Sequence, residues 1–143
     1  MNTPTPTDAE VAAASQTLMR VRFDGSALRN RLARAAAMLA ALETLPVEPS
    51  LVFEREGMKC QPLGAGGVIG REGDEQLCFP NHAGMSRRHF RIFKNKGLWW
   101  VEDLGSRNGT LIDGDDEPVT KRALRDGDLI HAGDVSFLFV ATE

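Results

Sequence analysis

The sequence predicts a mainly β fold, a sandwich or barrel of short strands, behind a helical N-terminal segment. Two observations carry this. Thirteen of the fourteen glycines lie after residue 46, among short β-branched and aromatic runs, whereas the chain before it is rich in alanine, leucine and arginine. The later runs are separated by turn signals, Asn95-Lys96-Gly97, Asn108-Gly109, Asp113-Gly114, Asp126-Gly127 and Ala132-Gly133-Asp134. Many short strands so punctuated argue for a sandwich or barrel over a βαβ fold.

Residues 1–7 read as a flexible tail, since alternating Thr-Pro disfavours helix at each residue before proline. A helical segment is expected over 8–46. Thr7 with Glu10 fits a capping box opening a helix to about Met19. After a break at Asp24-Gly25-Ser26, Leu28, Leu32, Ala35, Leu39 and Leu42 recur at spacings of 4, 3, 4 and 3, one apolar stripe with Arg29, Arg31 and Arg34 off it. The stripe either packs on the β domain or pairs with a second chain as a homodimer, because fewer than three heptads cannot hold a coiled coil alone. Pro46 and Pro49 end the helix and stiffen the linker.

The β domain is expected over 51–143, with strands at 51–54, 58–63, 67–70, 76–79, 89–94, 98–103, 110–112, 128–131 and 135–140. The runs 89–94 and 98–103, joined by a glycine-containing turn, form the clearest hairpin. Within it Trp99 and Trp100 point to opposite faces, the outward indole at the surface or under the helix.

Composition narrows the function. The chain has 143 residues, is 42% hydrophobic and 26% charged, and carries a net charge of −3. That balance disfavours a surface built for nucleic acid. The longest apolar run, from Ala35 to Leu42, is eight residues, far short of the roughly 20 that a membrane span needs. The start MNTPTPTDAE lacks a secretory pattern. Cys60 and Cys78 read as reduced thiols and small core residues; with His82 and His89 they match no zinc spacing, so no metal or cofactor is expected. The four carboxylates of 113–117 read as a solvated turn without the ligand register of a calcium loop. A small, soluble, cytoplasmic protein is the expectation.

Three polar clusters sit at strand ends: Gly70-Arg71, then Ser86-Arg87-Arg88-His89, then Ser106-Arg107-Asn108-Gly109-Thr110. A rigid sandwich presents its binding residues at such ends. Guanidinium forks together with hydroxyl and amide donors suit a phosphate dianion. The domain otherwise leans acidic, 12 Lys and Arg against 15 Asp and Glu over 51–143. A basic focus on an acidic body suits a small anionic epitope.

Gly70-Arg71, Ser86-x-x-His89 and Asn108-Gly109, in this order within GGVIGRE, MSRRHFRIF and WWVEDLGSRNGTLIDG, resemble the signature of the forkhead-associated (FHA) domain family. The resemblance extends from about Leu51 to Val140 and stops short of the N-terminal helices. It implies a β-sandwich of about eleven strands that recognises phosphothreonine in a partner protein. By position, it implies that Arg71, Ser86 and Arg87 contact the phosphate and that Asn108 bonds the peptide backbone. Gly70, His89 and Gly109 would shape the loops. Arg107, also expected to contact the phosphopeptide, stands where the family often has Ser or Thr beside the phosphothreonine pocket; Arg88 reads as a solvated surface charge.

The implied function is a non-catalytic adaptor whose partner is a protein phosphorylated by a Ser/Thr kinase, or the kinase itself. The rival is a phosphate-independent scaffold module with the same fold, as in secretion machinery. A hydrolase built on Ser86 and His89 would lack a nucleophile elbow and an identifiable acid.

Overall fold

A computed structural model describes residues 25–141. The expected tail, the capping box at Thr7 and the helix running to Met19 lie outside the described residues. The order is α1 (Gly25–Ala40), β1 (Ser50–Glu54), β2 (Met58–Pro62), β3 (Gly66–Ile69), a 3-10 turn (Glu75–Leu77), β4 (Phe90–Asn95), β5 (Leu98–Asp103), β6 (Thr110–Ile112), β7 (Lys121–Ala123), β8 (Leu129–Ala132) and β9 (Val135–Val140). These form two antiparallel sheets, β2-β1-β9-β8-β6 and β3-β4-β5-β7.

Alternation along the strands puts Leu51, Phe53, Ile92, Val101, Ile130, Phe137 and Phe139 between the sheets. Phe137 lies at the centre, with ring centroids 5.3 Å from Phe79, 5.4 Å from Phe90 and 5.5 Å from Phe53. Such tilted and edge-on pairs contribute about 0.5–1.5 kcal/mol each beyond the area they bury. Trp99 is buried beside Phe139, whereas Trp100 faces outward. The helix does not cover Trp100. Lys121 Nζ does, 5.6 Å from its ring.

The outer face of the five-stranded sheet is also apolar along one line, and α1 lies on it. Val52, Leu129 and Leu138 are fully buried there by Ala35, Met38, Leu39 and Leu42. That contact explains why Phe137, Leu138 and Phe139 are buried in succession on one strand. The helix ends at Ala40, short of Pro46, in a turn closed by Leu42 N–H to Leu39 O at 3.1 Å, which brings Leu42 onto the sheet. Leu32, on the predicted stripe, stays 57% exposed, whereas Ala35, Leu39 and Leu42 of the stripe pack on the sheet. Arg34 fastens the helix to the end of β6 through Asp113 Oδ2 at 3.0 Å.

The structure differs from expectation at four further places. Nine strands form among the described residues, where the family resemblance implied about eleven. The strand expected at 76–79 is the 3-10 turn followed by a single parallel bridge, Gly70 to Cys78, because the Asp74 carbonyl accepts Leu77 N–H at 2.7 Å and coils the chain. The acidic segment 113–117 is solvated only in part: Asp116 and Glu117 are exposed, but Asp113 accepts from Arg34 and His131, and Asp115 pairs with Arg122 at 2.6 Å. The two cysteines are free thiols of intermediate burial: Cys60 packs against the cluster under the helix, whereas Cys78, outside both core clusters, donates from Sγ to the Arg71 carbonyl at 3.1 Å. Among the described residues no helix is long and apolar enough to cross a membrane.

Candidate functional site

The three clusters predicted from sequence meet at one end of the sandwich. The chain leaving β3 is joined to the segment before β4 by Arg71 N–H to Ser86 O at 3.0 Å, Glu72 N–H to Arg87 O at 2.9 Å and His89 N–H to Ile69 O at 2.9 Å. Gly70 lies beneath that crossing. A Cβ there would stand 2.2 Å from the Arg87 carbonyl oxygen, so no other residue fits without moving backbone.

The loop between β5 and β6 closes on the same segment. Arg107 N–H donates to Ser86 Oγ at 2.9 Å, and Leu104 N–H donates to His89 O at 3.0 Å. Asn108 Nδ2 donates to Gly84 O at 2.9 Å. His89, fully buried, ties the two loops together through both ring nitrogens. Nδ1 accepts Ser86 N–H at 3.0 Å, so Nε2 carries the proton and donates to Gly109 O at 2.8 Å. Through these two links His89 connects the segment before β4 to the loop after β5. Gly109 needs its glycine for a different reason: its φ is +81°, in the left-handed region.

Asp103, which the sequence reading passed over, organises this loop from beneath. Its Oδ2 accepts Gly105 N–H and Ser106 N–H, each at 3.0 Å, and its Oδ1 accepts the hydroxyls of Ser106 at 2.5 Å and Thr110 at 2.7 Å. Burial alone would raise its pKa, but these four hydrogen bonds outweigh that and hold it below the ordinary 3.8. The signal was present as an Asp followed at three and seven residues by hydroxyls, a pattern that favours side-chain closure of a turn. A lowered carboxyl pKa adds stability that is complete above about pH 4 and lost as pH falls through the lower folded value. Asp103→Ala is therefore expected to lower the melting temperature at pH 7, with the gap to wild type narrowing as pH falls below the ordinary 3.8 and through the lower folded value. Melting curves from pH 2 to 7 check this; a gap independent of pH contradicts it.

The cavity between these loops, open to solvent, is about 350 Å³ and is lined by Arg71, Ala83, Gly84, Met85, Ser86, Arg87, Arg88, Arg107 and Asn108. All five residues read as ligand contacts thus line one cavity. The sequence reading had not included 83–85, whose lining role depends on the Asn108–Gly84 bond and on close packing of Gly133 against Gly84. Arg71 Nε is buried with no acceptor among the described residues. Ser86 Oγ accepts one hydrogen bond from Arg107 and retains its own hydrogen to donate. Arg87 and Glu72, 74% and 70% exposed, are 3.9 Å apart, a loose pair that leaves the guanidinium mobile. The arrangement offers several donors converging on one small volume, suited to an anion with several acceptor oxygens.

Residues 67–133 match the model of the FHA domain family. The FhaB protein of Mycobacterium tuberculosis is 38% identical over 90 residues, 62% of this chain and 55% of its own length. Among solved structures, a study of phosphothreonine-dependent FHA domain interactions aligns at 28% identity and TM-score 0.53, covering 66% of this chain and 98% of the other. The FhaA FHA domain complexed with the intracellular domain of Rv3910 aligns at 30% identity and TM-score 0.56, covering 64% and 99%. The β-sandwich is an FHA domain, a binding module, and the chain belongs to the FHA family. It spans about half the length of the FhaB relatives that it matches.

Proposed function

We propose that this chain is a phosphothreonine-dependent adaptor in Ser/Thr kinase signalling and carries no catalytic activity of its own. The observation that carries the reading is the buried, acceptor-less Arg71 Nε sharing a cavity with the free hydroxyl hydrogen of Ser86. In this reading Arg71, Ser86 and Arg87 hold the phosphate oxygens. Asn108, with one Nδ2 hydrogen bonded to Gly84 O, accepts a peptide N–H at Oδ1 and so orients the strand. Gly70, His89 and Gly109 keep the loops in place. The phosphothreonine-dependent interactions of one neighbour and the protein complex of another support a phosphorylated protein as partner. A partner modified by a kinase, and the two free thiols, fit a cytoplasmic setting.

The test is calorimetry with matched peptides taken from an oriented phosphothreonine library. A phosphate carries about 1.5 to 2 negative charges and three acceptor oxygens, whereas a Glu substitute offers one charge and two coplanar oxygens. The phosphothreonine peptide is expected to bind, with the Thr and Glu versions below detection. Phosphoserine keeps every polar contact and loses one methyl, which costs roughly 1–3 kcal/mol in a fitted pocket. With Arg107 in place of a small residue, the lower half of that range is expected. Equal binding of all versions would make this a generic anion site. An empty library screen with folded protein would favour a phosphate-independent scaffold.

A further inference from the structure

One wall of the cavity, Ala83, Gly84 and Met85, belongs to the segment between the 3-10 turn and β4. Two local bonds shape that segment, His82 N–H to Phe79 O at 3.2 Å and Met85 N–H to His82 O at 3.0 Å. The turn between β8 and β9 fixes it from outside. There Gly133 packs so closely that a Cβ on it would stand 2.7 Å from the Gly84 carbonyl carbon. The next residue, Asp134, meets His82 side chain to side chain, Oδ1 to Nδ1 at 2.9 Å. The Gly84 carbonyl, held beside these contacts, accepts Asn108 Nδ2 at 2.9 Å. A chain of contacts therefore runs from the Asp134 carboxylate through His82 and Gly84 to Asn108, the residue that orients the peptide. Neither His82 nor Asp134 lines the cavity itself.

We infer that His82 and Asp134 are positioning residues for the phosphothreonine peptide, acting through Gly84 and Asn108, and that the charge on His82 tunes the affinity. This rests on the phosphothreonine reading and extends it to a pH dependence of the site. A histidine gains its charge as pH falls from about 8 to about 5. The His82 ring faces the Asp134 carboxylate and, edge-on with centroids 5.7 Å apart, Phe79, over which the Arg55 guanidinium lies 5.1 Å from the ring centre. Of the two charged groups only Asp134 is within ion-pair distance. Neutral His82 holds it by a hydrogen bond, and the imidazolium adds an ion pair. With Asp134 68% exposed the gain is modest. The fraction of free chains in which the pair is closed scales the apparent affinity, because the bound peptide needs Gly84 and Asn108 in place. The contribution is therefore greatest at low pH and declines as pH rises and His82 loses its proton.

One phosphothreonine peptide is titrated by calorimetry from pH 6 to 8 into the full chain and into His82→Asn and Asp134→Asn, each of which keeps a hydrogen-bonding side chain. The quantity read is the ratio of wild-type to variant affinity at the same pH. That ratio cancels the titration of the phosphate itself, whose second pKa is about 6. For both variants it is expected to stay below about two at pH 8 and to rise to about three- to fivefold at pH 6. In the free chain the side-chain amide signals of Asn108 are expected to shift with pH over the same range, and to stay still in His82→Asn. A ratio of one throughout overturns the inference. So does a ratio that is the same at both ends of the range, which would make His82 a packing residue only, and so do Asn108 signals that follow pH alike in both chains. Each of these results leaves the phosphothreonine reading standing. Failure of the peptide to bind the wild-type chain at any pH removes that reading and this inference with it.

Discussion

Arg71→Ala is expected to weaken phosphothreonine-peptide binding by about 2–5 kcal/mol, much of it from leaving phosphate charge unpaired. The stability of the free protein should stay within about 0.5 kcal/mol of wild type. These two expectations separate because of what Arg71 does in the fold. Its backbone N–H holds the Ser86 carbonyl, a bond that alanine keeps. Its guanidinium meets no carboxylate, and Nε has no acceptor among the described residues. Calorimetry and denaturant unfolding on the same preparation decide the matter; a folded variant with unchanged affinity refutes the assignment.

His89→Ala should behave in the opposite way and lose stability first. The ring is fully buried and bridges two loops through Ser86 N–H and Gly109 O. Removing it leaves a buried donor and a buried acceptor unpaired and opens a cavity, for an expected loss of about 2–4 kcal/mol. Peptide affinity should fall as well, because Ser86 and Asn108 are no longer held at a common distance. Urea unfolding measures the first effect and calorimetry below the transition the second. Wild-type stability in this variant would mean that the bridge does not fasten the loops.

The residues that line the cavity were legible as three polar clusters, because the guanidinium, hydroxyl and amide groups of Arg71, Ser86 and Asn108 stand out at the ends of apolar strands. The parts that escaped the sequence are those fixed by tertiary pairing. β7 reads Lys-Arg-Ala, with no β-branched or alternating signal; pairing with Trp100, Val101 and Glu102 and the double ion pair of Arg122 define it. At 76–79 the buried Leu77 and Phe79 gave the alternation of a strand, but backbone closure onto Asp74 makes a turn there instead. The leucine stripe announced a buried face without naming its partner, which only the row of Val52, Leu129 and Leu138 across three strands supplies. The carboxylates of 113–117 looked solvated because Arg34, Arg122 and His131 are distant in sequence.

The most direct measurement of the central claim is a map of amide and arginine Nε chemical shifts as a phosphothreonine peptide is added to the full chain. The account predicts the largest changes at the backbone amides of Arg71, Ser86 and Arg107 and at the Arg71 Nε–H, with α1 and the outward face around Trp100 undisturbed. Changes confined to α1 or to that outward face, with the Arg71 signals unmoved, would contradict it.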